Sequence, residues 1–322
     1  MTTTRRTILT GLAALGTASS PRAQELSQGP IRIVAGFAAG GSSDSMARLV
    51  ADRLRDSLGR TVIVENVAGA GGRLAAEQVK AATPDGTRIL LANTVMMSLS
   101  PLVFSDLRYG PLTDFVAVAK AAEYQLVLAT GAATKAGTFA GLKSWLIANP
   151  DKGAYGVPAA GSLPHLYALQ VAASTGLPMT MVPFRGGAPM AQALAGGHLA
   201  MAFSASSDFT EQHRSGLLRI VAQSGSRRHP VLPDVETFTE AGIAGAEENG
   251  WNGFFLPKGT PQPIVDRYAA AIRDALAEPG MVARLETLGF LTAFAAGPDL
   301  ARQITAEQAH WKPLVTSAGL AQ

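Results

Sequence analysis

The sequence predicts an α/β protein of two domains, each built on a mixed, mostly parallel sheet, with the chain crossing twice between them. Three observations point there. Strand, glycine-bearing loop and helix follow one another from residue 30 onward; the pattern restarts after Tyr124; and the helices near the carboxyl end have too few strands of their own to make a domain. Strands alternating with helices imply parallel sheets covered on both faces. A chain of 322 residues also favours two domains over one.

The elements follow from periodicity and punctuation. Residues 31–35 (Ile-Arg-Ile-Val-Ala) read as a buried strand and residues 36–43 as a loop. Met46, Leu49, Val50, Leu54 and Leu58 then fall at helical spacing, and Gly59 stops the helix. Residues 61–64 form the next strand, the loop through Gly69-Ala70-Gly71-Gly72 feeds a helix at 74–81, and Pro84-Asp85-Gly86 turns into a strand at 88–92. A second set has strands at 126–129, 154–157, 179–183, 199–203 and 218–222, with helices at 141–148, 165–175 and 188–194. A strand at 253–256 and helices at 263–277, 281–288 and 298–317 complete the chain. The last helices are expected to return to the first sheet. Domain 1 then comprises residues 24–122 with 251–322, domain 2 residues 123–250, and crossings near 119–124 and 247–251 form a hinge.

Residues 1–23 read as an export signal: Arg5-Arg6, a short apolar stretch at 8–18, and small residues up to Ala23. The pair also approximates the twin-arginine motif, alongside ordinary secretion. Removing this segment takes three arginines and no acid from 27 basic and 24 acidic residues, leaving 24 of each. The basic balance therefore belongs to the signal, and nucleic acid and anionic membranes are discarded as partners. The absence of cysteine excludes disulfides, thiolate metal sites and a lipid-modified amino terminus. No run is long enough to span a bilayer, so the mature protein is not expected to be membrane-embedded.

Three loops stand before helices: Gly36-Phe37-Ala38-Ala39-Gly40-Gly41-Ser42-Ser43-Asp44, Ala159-Ala160-Gly161-Ser162-Leu163-Pro164-His165, and Phe184-Arg185-Gly186-Gly187-Ala188-Pro189. In open α/β sheets such loops lie at the carboxyl ends of the strands, where ligands bind. Helix starts present unpaired N–H groups and a partial positive charge, so they hold a carboxylate without a basic side chain. Small residues let a ligand reach that backbone, and a bulky residue at Gly161 or Gly186 is expected to block it. Each loop has a plainer reading as a turn with a helix cap, and Asp44 fits a cap better than a ligand contact. The first loop lacks dinucleotide and phosphate-loop spacing, no Gly-x-Ser-x-Gly elbow occurs, and the five histidines show no metal-ligand spacing. Neither a metal nor another cofactor is expected.

At these loops the chain resembles the tripartite tricarboxylate transporter substrate-binding family, also known as the Bordetella uptake gene proteins. The markers are Pro30-Ile31-Arg32-Ile33-Val34 with Gly40-Gly41-Ser42-Ser43-Asp44; Val64-Glu65-Asn66 with Gly69-Ala70-Gly71-Gly72; Pro84-Asp85-Gly86; Val182-Pro183-Phe184-Arg185-Gly186-Gly187-Ala188-Pro189; and Pro257-Lys258-Gly259-Thr260-Pro261. Leu232-Pro233-Asp234-Val235 and Glu240-Ala241-Gly242 add to them. The resemblance implies a type II-like periplasmic-binding-protein fold that closes on a small organic acid and delivers it to a membrane permease. It implies a monomer with no catalytic activity.

By the same resemblance the ligand-binding positions are Phe37, Ala38, Ala39, Gly40, Ser42, Ser43, Asp44, Asn93, Thr94, Ala160, Gly161, Ser162, His165, Phe184, Arg185, Gly186 and Ser204. Relatives commonly carry prolines where Gly36, Ala38 and Ala39 stand, and often an aspartate where Ser204 stands. Loss of that acid implies a plain carboxylate over an amino acid. Two other classes stay open on the residues alone: an exported hydrolase or isomerase using Ser162 and His165, and a sensor that signals to a membrane kinase.

Overall fold

The computed structural model describes residues 28–184 and 186–321. The export segment and Arg185 lie outside the described residues. The chain opens with β1 (Ile31–Ala35), α1 (Ser42–Leu58), β2 (Val62–Asn66), α2 (Arg73–Lys80) and β3 (Arg88–Asn93). A π-helical turn (Val95–Leu99), α3 (Ser100–Val103) and β4 (Phe115–Tyr124) follow. The second group is β5 (Leu126–Thr130), α4 (Phe139–Ala148), β6 (Ala154–Val157), α5 (Leu163–Thr175), β7 (Thr180–Pro183), α6 (Gly187–Ala195), β8 (Met201–Ala205), α7 (Thr210–Arg214) and β9 (Arg219–Gln223). The chain ends with β10 (Gly250–Pro257), α8 (Gln262–Ala277), α9 (Pro279–Thr287), β11 (Leu291–Ala296) and α10 (Gly297–Ser317).

Two mixed sheets result, with strand orders β11-β4-β10-β3-β1-β2 and β7-β6-β8-β5-β9. β1 pairs in parallel with β2 and β3, and β6 with β7 and β8. β10, β11 and β5 run against their neighbours. Five antiparallel pairings therefore stand against four parallel ones among the described residues, where mostly parallel sheets were expected, because β5 and β10 enter their sheets straight from the crossings, without a preceding crossover helix. β4 and β11 were not expected as strands. Residues 119–124, read as a crossing, lie inside β4, and the chain passes to the second sheet at Gln125.

Alternation along the strands builds two layers on each sheet. Ile31, Ile33, Ala35, Ile89 and Leu91 face a core closed by α1 and α8; Val34, Leu90 and Ala92 face the opposite core with Trp251, Phe255 and residues of α2 and α10. In the second sheet Leu126 and Leu128 face one side, and Val127 and Ala129 the other. α1 buries Met46, Val50, Leu54 and Leu58 and ends on left-handed Gly59, whose N–H donates to Arg55 O.

The loops at the ends of β1, β2 and β3 are packed on one another. A β-carbon on Gly36 would stand 2.6 Å from Gly72 Cα, and one on Gly72 would stand 2.6 Å from Met96 Sδ. The first contact is backbone and cannot swing aside. Gly36→Ala is therefore expected to cost about 1–3 kcal/mol by overpacking, measured as a lower urea midpoint with an unchanged slope.

Side-chain hydrogen bonds join the two stretches that pass between the sheets. Leu126 N–H donates to Ser224 Oγ (2.9 Å), Ser224 Oγ donates to Asn249 Oδ1 (2.8 Å), and Asn249 Nδ2 donates to Glu123 Oε2 (3.1 Å). A third connection is α10. Its Leu300 and Ile304 pack in the core with Trp251, while Trp311 and Val315 pack in the core beneath the second sheet.

Candidate functional site

A cavity of about 250 Å³ lies between the two sheets. One wall comes from the first sheet: Ser43 after β1, Asn93 at the end of β3, and Asn252 at the start of β10. The facing wall comes from the second: Ser162 before α5, and Ser204 and Asp208 at and beyond the end of β8. Register explains the convergence. Asn252 pairs with Asn93, and Val127 with Ser204, so the start of each antiparallel strand meets the carboxyl ends of its parallel neighbours. Tyr124 and Phe290 close one side, their rings edge to face at 6.3 Å.

Four of the expected positions, Ser43, Asn93, Ser162 and Ser204, line this cavity. Ser42 opens α1 beside them. Several of the other described positions are engaged within their own loops. Asp44 is 3% exposed and accepts from Gly40 N–H (2.9 Å), Arg48 (3.0 Å) and Asn66 Nδ2 (2.9 Å). Burial alone would raise its pKa, but these bonds and the Arg48 charge hold it down at about 2. It closes the first loop as a structural carboxylate. Asn66 Nδ2 also donates to Phe37 O (3.1 Å), which anchors Phe37 and the Ala38-Ala39 turn from behind. Thr94 Oγ1 accepts from Trp251 N–H (2.8 Å), tying β3 to β10.

The second loop is likewise occupied with itself. Gly161 N–H donates to His165 Nδ1 (3.0 Å), and Ser162 Oγ caps α5 by accepting from His165 N–H (3.4 Å) while donating to Ala159 O (2.7 Å). Gly161 N–H is thus not a free donor. Burial lowers the His165 pKa, and with Nδ1 accepting, its proton sits on Nε2. Ser162 Oγ meets the His165 backbone and not its ring, so no nucleophile and base are paired here. A β-carbon at Gly161 or Gly186 carries a conformational cost beside any obstruction of a ligand. Among the described residues it would meet only Val103, at 3.7 Å, at Gly161 and nothing within 4 Å at Gly186. These glycines are required by φ values of 71° and 105°. Phe184 packs inward toward Gly156, and Ala160 remains in the turn.

Sequence reasoning missed Asn252, Asp208, Tyr124 and Phe290. Asn252 sits in an otherwise apolar strand, Gly-Trp-Asn-Gly-Phe-Phe, and that isolated polar residue was the available signal. The Ser204 hydroxyl donates to the Asp208 carboxylate. An acidic side chain therefore lines the cavity beside Ser204. Among the described residues no cluster of three or more His, Asp or Glu suits a metal, and no helix is long and apolar enough to cross a membrane.

Two lobes with a polar cavity between facing loop sets define a solute-binding receptor. The particular family follows from comparison with known proteins. The sequence profile of the tripartite tricarboxylate transporter family receptor matches residues 46–320, and the chain belongs to that family, whose members bind solutes and catalyse no reaction. It is 32% identical to protein BugT of Bordetella pertussis over 314 residues, covering 96% of this chain and 95% of that one. Among solved structures, R. palustris Rpa4515 with adipate superposes with a TM-score of 0.80 at 29% identity, covering 91% of this chain and 98% of that one. MatC from Rhodopseudomonas palustris, with bound malate, gives 0.75 at 31% identity, covering 89% and 98%.

Proposed function

We propose that this receptor captures a small carboxylate in the cavity between its lobes and hands it to a membrane permease of the tripartite tricarboxylate type. The observation that carries the reading is the convergence of Ser43 and Asn93 from one sheet with Ser162 and Ser204 from the other on one cavity of metabolite size. The adipate and malate held by the two similar proteins support a carboxylate ligand. Residues 24–122 with 251–322 and residues 123–250 act as the lobes, hinged near 119–124 and 247–251, and residues 1–23 direct export to the periplasm, with the twin-arginine route open to it.

A carboxylate is best received at the start of α1, a 17-residue helix whose first amides precede any intrahelical acceptor and whose Ser43 lines the cavity. Asn93 Oδ1 accepts from Met96 N–H (3.1 Å), which orients the amide and leaves Nδ2 to donate to the ligand. Closure excludes water and strengthens such charge-assisted bonds.

A thermal-shift screen over carboxylates of three to eight carbons tests the reading. A true ligand at a hundred times its dissociation constant stabilises by about 2.7 kcal/mol. Asn93→Leu is expected to remove that shift. A screen in which no carboxylate moves the melting temperature would refute the reading, and so would undiminished binding by the variant.

A further inference from the structure

Two side chains in the cavity are not accounted for by a carboxylate alone. Asn252 is 1% exposed and lines the cavity, yet among the described residues neither its Oδ1 nor its Nδ2 has a hydrogen-bond partner. Buried polar atoms are almost always paired, because desolvation without a partner is costly. Its register partner Asn93 makes no hydrogen bond to it, and Asn93 Oδ1 is oriented by the bond it accepts from Met96 N–H. An amide both donates and accepts, so a ligand head that donates to Oδ1 relieves part of the deficit at Asn252 and one that also accepts from Nδ2 relieves the rest.

Asp208 is the second. It is the one charged side chain among the described residues lining the cavity. A β-carbon on Gly187 would lie 2.3 Å from its Cγ, so α6 opens on glycine with a carboxyl group seated at its start. The amides of a helix start favour an anion there. The protein's own carboxyl group therefore stands beside the third helix start, a place the loop pattern had offered to a ligand anion. A ligand with acids at both ends would bring a second negative charge beside Asp208 in a half-enclosed space, where like charges repel strongly. Burial already pushes the Asp208 pKa up, and among the described residues Ser204 is its hydrogen-bond partner.

We propose that the ligand is bifunctional: one carboxylate at the α1 side of the cavity, and at the Asp208 and Asn252 side a nitrogen head that donates hydrogen bonds and carries no negative charge, a carboxamide or an ammonium. This rests on the carboxylate-receptor reading and narrows it from dicarboxylates to amido- or amino-monocarboxylates. Asp208 accepts from the nitrogen head in either case. Asn252 adds its Oδ1 as a second acceptor and, for the amide, its Nδ2 as a donor to the carbonyl.

Titration calorimetry with matched probes tests it: glutarate, glutaramate and 5-aminovalerate, with the homologous sets one carbon shorter and one carbon longer. The expected result is binding of the amide or the amino acid at least tenfold tighter than the diacid of equal length. The amide and amino-acid arms distinguish the two heads. Asp208→Asn is expected to reverse the order, gaining affinity for the diacid and losing at least tenfold for the amino acid. Asn252→Leu is expected to lose at least tenfold for the preferred probe while melting no lower than the parent, since a purely structural asparagine would lower the melting temperature when replaced. Diacids that bind tightest in the parent, with an order unchanged by Asp208→Asn, would overturn this inference and leave the carboxylate reading standing. Binding of no probe of any length would overturn this inference, and with a carboxylate screen that is also blank it would overturn both.

Discussion

Replacing Trp311 by alanine is expected to cost about 3–5 kcal/mol of unfolding free energy, the range for truncating a fully buried tryptophan. Trp311 is 1% exposed, and its ring lies 5.6 Å from that of Tyr167 on α5, which in turn lies 5.7 Å from Phe238. These rings belong to the core beneath the second sheet, whereas α10 starts against the first sheet at Leu300 and Ile304. One helix thus clasps both lobes. Removing the indole leaves a cavity in a site that cannot collapse, because Tyr167 is held through its hydroxyl by Glu248 O. The control is Lys312→Ala, one residue on and exposed, which should change stability by no more than about 0.5 kcal/mol. Urea denaturation measures both, and a Trp311→Ala loss below about 1 kcal/mol would show that the clasp carries little.

The second large effect is on pH dependence, and it comes from Glu307 on the same helix. Glu307 is 1% exposed and accepts from Ser98 Oγ, Trp251 Nε1 (2.8 Å) and Gln303 Nε2 (2.8 Å). Gln303 Oε1 in turn accepts from Lys120 Nζ (3.1 Å). Burial raises its pKa, the nearby Glu248 charge raises it further, and the hydrogen bonds from Ser98, Gln303 and Trp251 oppose this, leaving it at about 7 against 4.5. The folded state then holds this proton more tightly than the unfolded chain. Its contribution to stability is fully present below about pH 4.5 and is lost as pH rises through about 7.

At 1.36 kcal/mol per unit the loss has a ceiling of about 3 kcal/mol. Glu307→Gln keeps an acceptor for the indole and cannot ionise, so its advantage over the parent is expected to grow between pH 5 and 8. His165, His213 and His229, whose pKa values burial lowers, act in the opposite direction, with stability rising as pH climbs toward 6.5. The difference between parent and variant cancels them. A difference that stays constant from pH 5 to 8 would show that Glu307 does not titrate in this range.

The regular elements were legible wherever local pattern and burial agreed. β1 and β3 alternate between two buried faces, and α1 repeats its apolar residues every four positions before a left-handed glycine. β4 and β11 escaped for a shared reason. Phe-Val-Ala-Val-Ala-Lys-Ala-Ala-Glu-Tyr and Leu-Thr-Ala-Phe-Ala-Ala are alanine-rich, and alanine has little strand preference of its own. Their strand state comes from pairing with β10 and with each other, across more than a hundred residues of sequence. The π-helical turn after β3 likewise follows from packing of Met96 and Met97 and not from any local signal.

In the loops the glycines were visible, but their meaning was divided by the fold. Gly36 and Gly72 serve loop packing, Gly161 and Gly186 serve backbone conformation, and Gly187 makes room for the Asp208 carboxyl. By itself the sequence determined the two-lobed α/β class, the family and four of the cavity-lining positions, because periodicity, turn residues and ordered motifs are written in neighbouring residues. Only the tertiary structure decided that Gly161 and His165 spend their polar groups on their own loop, and that Asn252 and Asp208 line the cavity. Those outcomes depend on strand order and register, which bring residues 93, 204, 208 and 252 together from distant parts of the chain. A hydrogen-bond donor already engaged by its neighbour is not available to a ligand, and only the fold shows which are engaged.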